Sequence, residues 1–217
     1  MSDVVSWNYY NNSKYSNNLS EQHVYNVRLL HKHAPSFGVI VDIGAGNGSF
    51  LDVAQDYFVN AVGTDITKSD DKRIILTRPW EHFFREASVD AVHINHVLEH
   101  LTYSEAKATI DRIHYILRDG GVCLASVPLM ENLSDNTFCC PNCGYIGHRW
   151  GHKQAFSMGS LAYLFSDRFN ILETRTLLFD SPSASDTGRL INKLKRIKLL
   201  MGKSVSGAVA TVVARKW

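Results

Sequence analysis

The stretch Val41-Asp42-Ile43-Gly44-Ala45-Gly46-Asn47-Gly48-Ser49-Phe50-Leu51 carries the densest chemical signal in the chain. Glycines at a strand-to-helix junction let the backbone turn tightly and approach a ligand with no Cβ in the way. The helix that follows offers free N–H groups to an anionic part of that ligand. The spacing is G-x-G-x-G, distinct from the dinucleotide pattern G-x-G-x-x-G, and Asp42 stands just before it. About twenty residues on, Asp65 ends a second apolar run, where a carboxylate can accept hydrogen bonds from both ribose hydroxyls. Singly, the loop reads as a tight βα turn and Asp65 as a solvated strand end. Together they specify an adenosine-type cofactor.

A second reactive group lies in Cys139-Cys140-Pro141-Asn142-Cys143-Gly144-Tyr145-Ile146-Gly147-His148-Arg149-Trp150-Gly151-His152. Cys140-x-x-Cys143 is a common metal hook, and Gly144 suits the turn it needs. Added to His148 and His152, the pair gives a Cys₂His₂ set suited to tetrahedral zinc. The interval from Cys143 to His148 is shorter than in a zinc finger and closer to a zinc knuckle, and Cys139 can substitute for one ligand. Two other readings stay open: the cysteines as small buried hydrophobes, and the histidines as walls of an acceptor pocket. Met1 to Leu19 is polar and lacks the apolar core of a secretory leader, so metal or redox chemistry is expected before a structural disulfide, and the expected location is the cytoplasm.

These groups need a scaffold, and 217 residues can bury a sizeable single core. A net charge of +2 is too small to argue for nucleic acid, and no apolar run is long enough to span a bilayer. Apolar, β-branched runs predict strands at 38–43, 60–65, 73–77, 89–94 and 122–127, the last entered through the turn Asp119-Gly120-Gly121. Helical patterns at 49–58 and 104–118 alternate with them, which argues for a parallel sheet covered on both faces. Further on, a helix is expected near 157–165, a strand at 169–179, a basic helix from Arg189 to Met201 and a final strand at 207–215. One domain is the economical reading, with a lid-like N-terminal segment (about 1–30) and a Cys/His-rich insert (about 132–152).

The motifs and their order resemble the class I S-adenosylmethionine (SAM)-dependent methyltransferases, particularly types 11 and 12. The resemblance spans roughly Val39 to Val127. It rests on the glycine loop, on Gly63-Thr64-Asp65, on the segment from Ser88 through Asn95-His96-Val97-Leu98-Glu99-His100-Leu101, and on Ile116-Leu117-Arg118-Asp119-Gly120-Gly121-Val122. It implies a Rossmann-like α/β fold with a seven-stranded mixed sheet whose last strand is antiparallel. Asp42 with the backbone of Gly44, Ala45, Gly46 and Gly48 would hold the methionine end of SAM, and Asp65 the ribose. Ile66 would touch the adenine, Trp80 and Glu81 would line its pocket, and Asn95 would lie under the sulfonium. The Cys/His insert is similar to segments in methyltransferases encoded among surface-polysaccharide genes.

Methyl transfer to a hydroxyl needs a nearby base, and histidine has the most suitable unperturbed pKa. His100 is the favoured candidate, with His96 or Glu99 second; the plainer reading makes His100 a structural residue that orders a loop. Tyr9, Tyr10 and Tyr15 are lid candidates. Arg189, Lys193, Lys195, Arg196, Lys198 and Lys203 alternate with Leu190, Ile191, Leu194, Ile197 and Met201 at helical spacing. An amphipathic helix packed on the domain is expected, with peripheral membrane contact through Arg189–Lys203 as the functional option. The sequence thus points to a SAM-dependent O-methyltransferase acting on a small metabolite or sugar. The alternatives are an NAD-dependent oxidoreductase and a non-catalytic, zinc-containing interaction module.

Overall fold

The computed structural model describes residues 20–81, 84–179, 185–201 and 205–217. Five strands run parallel: β1 (Val39–Ile43), β2 (Asn60–Asp65), β3 (Ile74–Leu76), β4 (Val89–Asn95) and β5 (Leu117–Pro128). β8 (Phe169–Leu177) and β9 (Val209–Lys216) complete a seven-stranded sheet of order β3-β2-β1-β4-β5-β9-β8. β9 is antiparallel to both its neighbours. Strand order reverses between β1 and β4, which register Ile43 against Ile94. In open α/β sheets, ligands bind at such a switch point, beyond the carboxyl ends of the strands.

Helices α1 (Ser20–His33) and α2 (Ser49–Ala54) cover one face, where Val27, Leu30, Phe50 and Leu51 pack on Ile40, Ala91 and Leu124. Helices α3 (Tyr103–Ile116) and α4 (Met158–Ser166) cover the other, burying Ile110, Ile113, Leu161 and Phe165 against Val41, Val92 and Val212. Reciprocal capping boxes begin both: Thr102 with Glu105, and Ser157 with Ser160.

Several expectations shift. The helix after the glycine loop stops at Ala54, and the chain then tucks Phe58 into an aromatic group with His31 and Phe37. The Asp119–Gly121 turn lies within β5, where Gly120 takes φ 75° and the β4–β5 register slips between Val89 and Ala91. Residues 20–30, read as part of a lid, belong instead to a core helix, because Val27 and Leu30 are fully buried. Tyr9, Tyr10 and Tyr15 lie outside the described residues. The Cys/His insert contains a short hairpin, β6 (Thr137–Cys139) with β7 (Ile146–His148). The basic helix is present as α5 (Asp186–Leu200), yet none of its residues is buried, so the expected packing of its apolar face on the domain is not found.

Candidate active site

A cavity of about 800 Å³ opens at the carboxyl ends of β1, β2, β4 and β5. Gly44 and Ala45 donate their N–H groups to the Thr64 carbonyl at 2.7 and 2.9 Å, pinning the glycine loop to the end of β2. Gly44 sits at φ 79°, and a Cβ there would lie 2.3 Å from Val97 Cγ2. Gly46 donates to Asp65 Oδ2 at 2.8 Å, while Asp65 Oδ1 accepts from the Thr67 N–H and hydroxyl at 2.8 and 2.6 Å. Asp65 therefore organises the loop as well as presenting a carboxylate to the cavity.

Asp42 is buried, with Oδ1 2.7 Å from His93 Nδ1. Asn26 Nδ2 donates to His93 Nε2 at 3.0 Å, which leaves the ring proton on Nδ1, pointing at Asp42. Phe50 stacks on the His93 ring at 3.8 Å, and His23 meets both rings edge-on. Burial, with His93 close by, pushes His23 down to about 4. Gln22 donates to Asn95 Oδ1 at 2.8 Å. Gln22, His23 and Asn26 thus tie α1 to the cavity floor, a role the sequence reading missed. The available signal was three polar residues on the same helix as the core positions Val27 and Leu30.

Past Asn95, His96 adopts φ 54°, a region side chains other than glycine rarely occupy. Its N–H donates to the Ser126 carbonyl at 2.9 Å, and its Nδ1 lies 3.1 Å from Glu99 Oε1. Burial pushes the Glu99 carboxyl up, but the His96 hydrogen bond and the neighbouring His96 and His100 outweigh it, leaving the group below its ordinary value. His96 is 34% exposed and lines the cavity with Glu99. His100 differs: burial drives it to about 4, and its ring hydrogen-bonds the backbone of Gly151 in the insert. It is a weak proton acceptor and a pin for the loop.

The insert closes another wall. His148 Nδ1 accepts from the N–H groups of Trp150 and His152 at 3.3 and 3.1 Å, so Nε2 carries the proton and faces Glu131 Oε1 at 3.6 Å. His152 Nδ1 bonds the other Glu131 oxygen. Among the described residues, the groups able to gather three ligand atoms are Glu131 with His148 and His152, and Glu99 with His100 and His152. Neither includes a cysteine, so the proposed set of Cys140, Cys143, His148 and His152 does not assemble. Cys140 and Cys143 sit instead at the hairpin tip, where the N–H groups of Asn142 and Cys143 and the Cys143 thiol lower the Cys140 pKa. His148 Nε2 is buried and has no hydrogen-bond partner among the described residues, since Glu131 Oε1 at 3.6 Å is out of reach.

Of the residues assigned to the cofactor, Asp42, Gly44, Ala45, Gly46, Asp65 and Asn95 line the cavity. Gly48, at φ 83°, forms the N-cap of α2. Ile66, Trp80 and Glu81 are not on the wall. Ile66 is exposed, Trp80 packs against the core, and Glu81 accepts from Thr77 and the Arg78 N–H. Phe50, Thr67, Glu131 and Trp150 line it without having been singled out for that role.

A model of a methyltransferase domain matches residues 19–170. No curated protein matches the chain. Solved structures with the same fold include the 1,6-didemethyltoxoflavin-N1-methyltransferase of Burkholderia thailandensis, bound to 1,6-didemethyltoxoflavin and S-adenosylhomocysteine. It is 17% identical with a TM-score of 0.68, over 99% of this chain and 86% of that one. A SAM-dependent methyltransferase from Archaeoglobus fulgidus is 18% identical with a TM-score of 0.62, over 91% and 94%. The geranyl diphosphate C-methyltransferase of Streptomyces coelicolor A3(2) is 13% identical with a TM-score of 0.58, over 94% and 85%.

Proposed function

The chain belongs to the methyltransferase-domain family, and on that premise we propose that it moves the methyl group of SAM to an oxygen of a small-molecule acceptor in the 800 Å³ cavity. The observation that carries this reading is a single cavity lined both by the Asp65-tethered glycine loop and by the His96–Glu99 pair. The loop and Asp42 would take the methionine end of SAM and Asp65 the ribose, with Asn95 beneath the reacting centre. The cofactor supplies the leaving group; the protein supplies alignment and a wall against water.

In the transfer, an acceptor oxygen lone pair forms a bond to the methyl carbon as the carbon–sulfur bond breaks, and S-adenosylhomocysteine leaves. The acceptor proton passes to His96, and Glu99 stabilises the imidazolium that forms. His96 takes this role over His100, whose burial and bond to Gly151 suit positioning the insert. The fold relatives include N- and C-methyltransferases, so the oxygen assignment rests on the histidine–carboxylate pair. Calorimetry tests the cofactor: SAM and S-adenosylhomocysteine should bind, NAD should not, and Asp65→Ala should weaken SAM at least tenfold. Heat with NAD and none with SAM would overturn the reading. The base is tested by turnover on hydroxylated acceptors, which His96→Ala should abolish while SAM affinity stays unchanged.

A further inference from the structure

Helix α5 projects its apolar side away from the protein. Leu190, Ile191, Leu194, Ile197, Leu200 and Met201 at its end are between 49% and 88% exposed. At about 3.6 residues per turn, Leu190, Leu194, Ile197 and Met201 fall on one narrow stripe. The described contacts of α5 with the body come from other sides of the helix. Lys195 Nζ donates to the Ser206 carbonyl at 3.0 Å, and the Arg196 guanidinium to the Leu178 carbonyl at 3.2 Å. Both residues lie on the half of the helix opposite the stripe. The helix therefore leans on the domain through its basic back, the reverse of an amphipathic helix docked on a core.

Charge identifies the occupant. From Asp186 to Met201 the cations are Arg189, Lys193, Lys195, Arg196 and Lys198, against the single anion Asp186. Lys193 and Lys198 flank the exposed stripe on either side, where long stems can carry their ammonium groups past the apolar side chains. A second copy of this helix would bring like charges together. An anionic bilayer satisfies both features: its acyl boundary takes the stripe and its headgroups take the flanking ammonium groups. No described helix is long and apolar enough to cross a membrane, so the helix would lie in the interface.

We propose that α5 docks the protein on anionic lipid surfaces. Val205, four residues beyond Met201, already lines the cavity, as do Gly207 and Val209. The docking segment and the cavity rim are therefore nearly continuous in the chain, and an amphiphilic acceptor would meet the enzyme at that rim. The docking itself does not depend on the acceptor chemistry.

The test is co-sedimentation of the full chain with vesicles of phosphatidylcholine alone or mixed with phosphatidylglycerol. Binding should appear only with the anionic mixture and fall at least tenfold in half-molar salt. The triple variant L190S/L194S/I197S and, separately, K193E/K198E should each lose at least tenfold in vesicle affinity. Both should retain SAM binding by calorimetry, so a vesicle result is read apart from the cofactor reading. Equal binding to neutral vesicles, no binding to either, or variants that sediment like the parent would each overturn the proposal. So would light scattering showing a dimer that the triple variant dissolves.

Discussion

Acidification to pH 5 should cost the fold several kcal/mol through two cavity histidines. His23 and His100 are buried, and each is driven from 6.5 to about 4. Both folded values lie below the unfolded one, so between pH 6.5 and 4 the unfolded chain holds more protons. Stability is then fully present above 6.5 and falls as pH drops toward 4. Each histidine contributes a slope of about 1.4 kcal/mol per pH unit inside that window, or roughly 2 kcal/mol between pH 7 and pH 5. Together they remove about 4 kcal/mol, a large share of the 5–15 kcal/mol typical of a domain. His114 and His148, both also lowered, act in the same direction. Carboxylates act lower: Glu173, held at about 2 chiefly by its hydrogen bond from Lys32, loses its contribution only below about 4.5. Urea unfolding followed by tryptophan fluorescence at pH 7, 6 and 5 gives the slope directly. His23→Gln and His100→Gln should each flatten it by up to half, whatever they do to stability at pH 7. Equal unfolding free energies at pH 7 and 5, or unchanged slopes in both variants, would refute the assignment of these histidines as buried and neutral.

Three further outcomes follow from the site. Gly44→Ala puts a Cβ 2.3 Å from Val97 at a left-handed φ; it should cost about 2 kcal/mol in a thermal melt and weaken SAM more than tenfold by calorimetry. His100→Ala removes the bond to the Gly151 backbone, so limited proteolysis should cut the 132–152 insert faster while SAM affinity holds; an unchanged cleavage rate would argue against the pin. Cys140→Ser should leave any zinc binding seen in a titration unaltered, since no cysteine shares a ligand cluster with His148 or His152; a lost thiolate-to-cobalt absorption band in the cobalt-substituted protein would argue the opposite.

The parallel half of the fold was legible because its strands are continuous β-branched runs punctuated by glycine turns. That pattern has few competing readings, and β2 was bounded correctly from Asn60 to Asp65. The backbone of the glycine loop was legible for the same reason: Gly44 and Gly46 meet Thr64 and Asp65 through local geometry that spacing encodes. Side chains delivered from a distance were not. Glu131 meets His148 and His152 because of the path of the insert, and no local spacing announces that contact. Ile66, Trp80 and Glu81, placed by the family resemblance, lie off the cavity wall, and the segment around Pro79 that carries Trp80 and Glu81 departs from the family pattern. Helix α5 had the right periodicity but the wrong face: hydrophobic period specifies that a stripe exists, not what it meets.

The division between His96 and His100 shows why spacing alone could not choose a base. Both rings lie near Glu99, so both draw on the same carboxylate. For the base proposed above, burial favours His96. His100 is removed from water on nearly every side, which disfavours the cation that a base must become, and its bond to the Gly151 backbone offsets only part of that. His96 keeps a third of its side chain exposed and a direct hydrogen bond to Glu99, which lowers the cost of that same cation. Its left-handed backbone conformation is consistent with this use. Of the three non-glycine residues with positive φ among the described residues, His96 and Met130 both line the cavity. Strain of this kind persists only where surrounding structure over-determines it. At His96 that structure is the N–H bond to Ser126 on one side and the Glu99 carboxylate on the other. Those two contacts hold the imidazole at the end of β4, beside Asn95, where the strand order reverses and a ligand has room to sit.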